Sequence, residues 1–188
     1  MGKPFIFGIG PGKTGTNSLV DALTLLGFKA VHLGHDKYHG LGLCDRIESN
    51  AENNKDLFEG IDGVDAFADF PMTRYWKSIH AAYPDAKFVL TYRDPFDAAR
   101  SWLRMTGTQA DQMRNKDPKS FRSYRARAEY HVKTYDEIMR HFWGSKNFAV
   151  ISVHDSDSTK WRELSGLLGV SAPPDGTPYP RSFTREDY

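Results

Sequence analysis

The chain of 188 residues is poor in several things, and each shortage removes a class of protein. It has a single cysteine, Cys44, which rules out an internal disulfide framework and a cysteine-built zinc site. It has no apolar run near the roughly 20 residues that a membrane-spanning helix needs, and its N-terminus turns directly into a strand pattern without a signal-peptide plan. It has almost no net charge, +1 at neutral pH, so no global field draws it to nucleic acid or to a membrane surface. Internal repeats and low-complexity tracts are missing as well. A cytoplasmic protein is the expectation, with neither nucleic acid nor membrane as a partner. What remains is ordinary globular material: 39% apolar and 26% charged residues in a chain long enough for one domain, residues 1–188, with a sizeable core.

The informative stretch is Phe5-Ile6-Phe7-Gly8-Ile9-Gly10-Pro11-Gly12-Lys13-Thr14-Gly15-Thr16-Asn17-Ser18-Leu19. Its start is apolar and β-favouring, its middle is glycine-rich with one lysine, and its end offers helix-capping residues before an apolar periodic run. A strand, a glycine loop and a helix N-terminus together present backbone N–H groups and a positive dipole end to an anion.

The rest of the chain alternates strands and helices. Strands are expected at Pro4–Gly8, Phe28–Leu33, Ala66–Phe70, Lys87–Tyr92 and Asn147–Val153. Helices are expected at Gly15–Leu26, over residues 47–59, at Thr73–Tyr83, from Pro95 through Leu103, at Ser120–Trp143 and at Thr159–Leu168. The long fifth helix carries an apolar stripe of Phe121, Tyr124, Ala128, Val132, Tyr135, Ile138, Met139 and Phe142. Trp76, Trp102 and Trp143 read as core aromatics. A proline-bearing tail from about residue 171 reads as extended. This order predicts an α/β fold, a three-layer sandwich with a mainly parallel central sheet. Ligands bind such sheets at the C-terminal ends of the strands, which gathers Gly10–Asn17, His32–His35, Asp69–Pro71 and Arg93–Pro95 on one rim.

Three anion chemistries compete for the loop. A nucleotide-hydrolase P-loop has four residues between its first glycine and Gly-Lys-Ser/Thr, whereas Gly8 and Gly12-Lys13-Thr14 leave three. A dinucleotide fingerprint is matched by Gly10, Gly12 and Gly15. The acid wanted at the end of the second strand is missing from Val31-His32-Leu33-Gly34. The third reading accounts for more of the chain. Lys13-Thr14-Gly15-Thr16-Asn17-Ser18 resembles the 5′-phosphosulfate loop of sulfotransferases that use 3′-phosphoadenylyl sulfate (PAPS). Arg93 at the end of a strand, with Ser101 eight residues on, resembles that family's 3′-phosphate pair. The segments Tyr83-Pro84-Asp85-Ala86-Lys87-Phe88, Thr91-Tyr92-Arg93-Asp94-Pro95, Ala68-Asp69-Phe70-Pro71 and Pro178-Tyr179-Pro180-Arg181 are similar to those of small bacterial-type members.

The resemblance implies a P-loop sulfotransferase-like fold and transfer of a sulfuryl group from PAPS to an acceptor hydroxyl or amine by in-line displacement. It implies a nucleotide site of Gly12, Lys13, Thr14, Gly15, Thr16, Asn17, Ser18, Arg93 and Ser101, with Arg181 in place of the family's Arg-Lys-Gly loop. Lys13 would stabilise the leaving phosphate. The general base is open between Asp69, at the end of the strand that carries the base in cytosolic relatives, and the histidines His32 and His35. No metal is expected, and homodimer formation is left open. Ser18 stands where cytosolic relatives have an adenine-stacking tryptophan. The basic cluster Arg114, Lys116, Lys119, Arg122, Arg125 and Arg127 reads as a solvated face, or as cations for an anionic acceptor or the nucleotide. A non-catalytic nucleotide-binding module on the same scaffold and a P-loop kinase or NTPase are the alternatives.

Overall fold

The computed structural model describes residues 5–34, 41–105 and 118–182. Candidate residue His35, and Arg114 and Lys116 of the basic cluster, lie outside them. Five strands form one sheet: β1 (Ile6–Gly8), β2 (Ala30–His32), β3 (Ala66–Ala68), β4 (Lys87–Tyr92) and β5 (Phe148–Ser152). The helices described are α1 (Thr16–Leu25), α2 (Leu41–Glu52), α3 (Met72–Ala82), α4 (Pro95–Met105), α5 (Pro118–His141) and α6 (Asp157–Leu168). The sheet order is β2-β3-β1-β4-β5 and every pairing is parallel.

The strands read as continuous apolar runs because both faces are covered. Ile6 points to one face and Phe7 to the other, and the alternation repeats through Ala66, Phe67 and Ala68 and through Phe88, Val89 and Leu90. On one side Phe7, Phe67 and Phe88 pack with Ile47 of α2, Trp76 and Ile79 of α3, and Ile138 and Phe142 of α5. On the other side Ile6, Ala66, Ala68 and Val89 meet Leu19 and Leu23 of α1 and Trp161, Leu164 and Leu167 of α6. The expected three-layer α/β sandwich is therefore observed. The alanines of β3 let α1 approach closely: a Cβ built on Gly8 would lie 2.8 Å from the Ala68 Cβ and 2.9 Å from the Leu19 side chain.

β3 is inserted between β1 and β2, a lateral order on which periodicity carries no information. Other elements differ from the sequence reading. α2 occupies Leu41–Glu52 rather than 47–59. Beyond it, Asn54 takes a positive φ of 54°, and the buried Asn50 amide donates to the carbonyls of Leu57 and Glu59. A turn wrapped around Asn50 thus replaces helix, as the local chemistry of asparagine allows. On α5, Val132 is 52% exposed and His131 is fully buried. The expected stripe holds at Ala128, Tyr135, Ile138 and Phe142 and fails at Val132, where the neighbouring His131 turns inward instead. Trp143 is 89% exposed rather than core, whereas Trp76 is buried as expected.

The segment after α6 has no regular secondary structure, but it is fastened down. The Trp161 indole N–H donates to the Thr177 carbonyl at 3.0 Å, and Tyr179 is buried against the Trp161 ring. Ser182 bonds to Ser18 and Asp21 of α1. No helix among the described residues is long and apolar enough to cross a membrane.

Candidate anion and transfer site at the strand ends

The central position of β1 makes the loop after it the natural ligand crevice: the chain builds β2 and β3 on one side and β4 and β5 on the other. The loop is shaped by two close approaches. A Cβ on Gly10 would lie 2.0 Å from the Thr91 hydroxyl oxygen and 2.6 Å from the Thr91 carbonyl oxygen, so only glycine fits against β4. Gly15, with φ of 97°, is the N-cap of α1 and supplies no side-chain cap. The first ladder bond of the helix runs from Leu19 N–H to Gly15 C=O at 3.0 Å. The N–H groups of Gly15, Thr16, Asn17 and Ser18 therefore precede the ladder and face the loop mouth with the positive end of the helix dipole. Lys13 itself has φ of 72°, a left-handed conformation that costs a non-glycine residue about 1–3 kcal/mol and is characteristic of functional turns.

The hydroxyls of the loop are used differently from its N–H groups. Thr14 is fully buried; its hydroxyl donates to the Pro11 carbonyl at 2.6 Å and lies 2.6 Å from the Thr91 hydroxyl. It braces the loop onto β4. The Thr16 hydroxyl is 2.9 Å from His32 Nε2. The Ser18 hydroxyl accepts from the Ser182 N–H at 3.2 Å, tying the tail to α1. Thr73 at the start of α3 donates to the Gly10 carbonyl at 3.0 Å. Asn17 keeps a buried Oδ1 with no hydrogen-bond partner among the described residues.

Two of the three base candidates meet here. Asp69, immediately after β3, adopts φ of 76° and is followed by a cis Phe70-Pro71 bond. Its Oδ2 lies 3.4 Å from His32 Nε2, and its Oδ1 is 3.6 Å from the point where a Gly12 Cβ would be. Gly34 admits this carboxylate, since a Cβ there would lie 2.7 Å from Oδ2. His32 is 3% exposed, while the Asp69 side chain is 18% exposed. The imidazole therefore lies beneath the loop, and the carboxylate is the more accessible of the two.

Across β1, Arg93 follows β4. Its main chain is gripped by the Tyr135 hydroxyl, which donates to the Arg93 carbonyl at 3.0 Å and lies 3.4 Å from its N–H. Burial pushes the Tyr135 phenol well above its usual range, so it stays a neutral donor. Asp94 is the cap of α4, accepting from the N–H groups of Phe96 and Asp97 at 2.9 and 3.1 Å. Arg93 does not pair with it: the Arg93 Nε is buried without a hydrogen-bond partner among the described residues. A buried guanidinium N–H without an acceptor among the described residues suits an anionic ligand. Ser101 lies half-buried on α4. Arg181 is largely exposed, with its guanidinium 3.6 Å from Asp157 of α6, next to Ser182, whose N–H bonds to Ser18.

Two residues of α5 complete the rim. One belongs to the basic cluster that the sequence presents as a solvated face or as cations for an acceptor or the nucleotide, and the other is not singled out by the sequence. Arg127 stacks over Trp102 and Tyr130, each ring centroid 4.9 Å away, with its Nη2 3.9 Å from the Gly12 Cβ position. Burial holds its guanidinium below the usual arginine range, partly offset by the Tyr130 hydroxyl and the Asp69 carboxylate. His131, one turn later, is fully buried with Nε2 3.2 Å from the Gly12 carbonyl and Nδ1 2.8 Å from the Arg127 carbonyl. Burial pushes its pKa down. The available signal was the i, i+4 pairing of Arg127 with His131 beside Tyr135, a polar continuation of the buried stripe. Among the described residues, no three His, Cys, Asp or Glu side chains come together as a metal cluster.

The fold is similar to the crystal structure of a sulfotransferase from Alicyclobacillus acidocaldarius, with a TM-score of 0.57 and 17% identity over 99% of this chain and 88% of that one. Curated proteins give no match. The family model described as "Sulfotransferase domain" matches residues 5–154, which hold the loop, Asp69, Arg93 and α5. The chain belongs to the sulfotransferase family.

Proposed function

We propose that the protein transfers a sulfuryl group from PAPS to an acceptor hydroxyl or amine. The observation that carries this reading is the pairing of two anion sites across β1: the α1 N-terminus behind Lys13, and the buried, unsatisfied Nε of Arg93. One suits a 5′-phosphate and the other the 3′-phosphate that distinguishes PAPS from ATP-like donors. The residues present fit such a donor. The N–H groups of Gly15–Ser18 and the Asn17 side chain would take the 5′-phosphate, Arg93 and Ser101 the 3′-phosphate, and Arg181 borders the site from the tail.

When bound, PAPS supplies an activated sulfuryl group on a phosphate leaving group. Lys13 offsets the charge that grows on that phosphate as the S–O bond breaks. Asp69 accepts the acceptor's proton as the new S–O bond forms, chosen over His32 because its carboxylate is partly accessible while the imidazole is buried between Thr16 and Asp69. His32 orients Asp69 and Thr16. Positioning and charge stabilisation supply the catalysis, as in phosphoryl transfer.

The test is a thermal-shift panel of adenosine 3′,5′-bisphosphate, ATP and GTP with and without magnesium. The bisphosphate raises Tm without magnesium if the reading holds; a shift confined to magnesium–ATP or magnesium–GTP would point to a kinase or NTPase. Bisphosphate binding with no transfer to any acceptor would leave a non-catalytic binding module.

A further inference from the structure

Lys13 and the α1 N–H groups account for the leaving phosphate, and Asp69 accounts for the acceptor proton. Nothing assigned so far meets the three oxygens of the group that moves between them. Arg127 is placed to do so. Its Nη2 and the Asp69 Oδ1 approach the same backbone point, Gly12, at 3.9 and 3.6 Å from its Cβ position. No carboxylate among the described residues lies within ion-pairing distance of Arg127, and its Nε is buried without a hydrogen-bond partner among them.

The arrangement is also held in place. Trp102 of α4 and Tyr130 of α5 flank the guanidinium with their ring faces. His131 contacts the Arg127 and Gly12 carbonyls with its two ring nitrogens, fixing this turn of α5 against the loop. An arginine serving only a solvated helix face, like Arg125 paired with Glu129 at 2.7 Å, needs none of this support.

We infer that Arg127 is a catalytic residue whose guanidinium binds the sulfuryl oxygens during transfer, beside Asp69 and at the Gly12 end of the loop. The inference rests on the PAPS reading of the site. In the step it serves, the bond from sulfur to the 5′-phosphate oxygen breaks and the bond to the acceptor oxygen or nitrogen forms. The acceptor proton passes to Asp69, and adenosine 3′,5′-bisphosphate leaves with the electron pair. The sulfuryl oxygens keep their charge throughout, and a fork of N–H donors in a partly buried site stabilises them without reorganisation.

The experiment compares two ligands that differ only in the sulfuryl group. Calorimetric titration of PAPS and of adenosine 3′,5′-bisphosphate is carried out on the full chain, on Arg127→Gln and on Arg127→Lys. Arg127→Gln is expected to weaken PAPS by about tenfold or more and to leave the bisphosphate within about twofold, as loss of one charge-assisted contact implies. kcat/KM for PAPS should fall at least as far as PAPS affinity does, with Arg127→Lys intermediate. Bisphosphate binding by each variant doubles as the folding control. Equal weakening of both ligands would overturn the inference in favour of a nucleotide-positioning role. Unchanged affinity for both, with a raised acceptor KM, would overturn it in favour of an acceptor contact. Wild-type protein that binds neither ligand would remove the donor reading itself, and this inference with it.

Discussion

Replacing Arg93 with glutamine separates the two halves of the nucleotide site. The substitution should leave the fold intact, because the structure holds this residue by its main chain: Tyr135 bonds to the Arg93 carbonyl and N–H, and Asp94 caps α4 independently. The side chain contributes a buried Nε–H with no hydrogen-bond partner among the described residues, so removing it relieves a desolvated donor and breaks no hydrogen bond of Nε. With a 3′-phosphate present, that donor and its neighbours on the guanidinium become charge-assisted hydrogen bonds worth about 1.5–3 kcal/mol each. Loss of one such bond corresponds to about a 10- to 150-fold rise in Kd. The assay is calorimetric titration of adenosine 3′,5′-bisphosphate against adenosine 5′-monophosphate, at fixed ionic strength because exposed phosphate contacts are screened by salt. Arg93→Gln should weaken the bisphosphate by that factor and leave the already weaker monophosphate unchanged. Equal loss for both ligands, or no loss for either, would refute the assignment of Arg93 to the 3′-phosphate.

Asp69→Asn should lower turnover on the order of 10²–10⁴-fold while bisphosphate affinity persists, measured by initial rates and titration; an unimpaired rate would move the proton acceptor elsewhere. Gly10→Ala places a methyl group 2.0 Å from the Thr91 hydroxyl and 2.6 Å from its carbonyl oxygen, so backbone must shift. A loss of about 1–3 kcal/mol follows, read as a Tm drop of several degrees, and an unchanged Tm would contradict the close packing of loop and β4. The buried His131 favours its neutral form, with a folded pKa below the unfolded one. The unfolded chain therefore binds more protons below about pH 6.5, and stability is fully present above that value and declines as pH falls through the window beneath it. Tm measured from pH 8 to pH 5 should fall less steeply in His131→Gln than in the wild type; parallel curves would refute the burial argument.

The parts of this molecule that were legible in its sequence are those where one residue type has one physical reason to be there. β4 runs Phe88-Val89-Leu90-Thr91-Tyr92 after Lys87, rich in apolar, β-branched and aromatic residues, and Lys87–Tyr92 is observed residue for residue. Pro95 opens α4, and Gly169 closes α6 in the left-handed conformation. The Lys13–Ser18 loop stands out because a lysine among glycines has no role in a simple turn. Other features depend on contacts that cross the fold. That β3 separates β1 from β2 is a tertiary fact, and so is the turn that Asn50 organises beyond α2. The division of labour within the loop was hidden too: Thr14, Thr16 and Ser18 all look like anion ligands by type, yet their hydroxyls serve Thr91, His32 and the tail. His131 was passed over because apolar counting prefers Val132. The structure buries the histidine, whose ring nitrogens face the Arg127 and Gly12 carbonyls; as a neutral imidazole it donates to one of them.

The central claim is that sulfur moves from PAPS to an acceptor on this loop. Its most direct test is to incubate the protein with PAPS and a mixed pool of hydroxyl and amine acceptors, in a chelator. Adenosine 3′,5′-bisphosphate and sulfated acceptor are then followed together by mass spectrometry, with a Lys13→Ala control. Bisphosphate and sulfated product rising in equal amounts, and both lost in Lys13→Ala, is the predicted result. Bisphosphate binding without any sulfated product across the pool, or product formation indifferent to Lys13, would contradict the account.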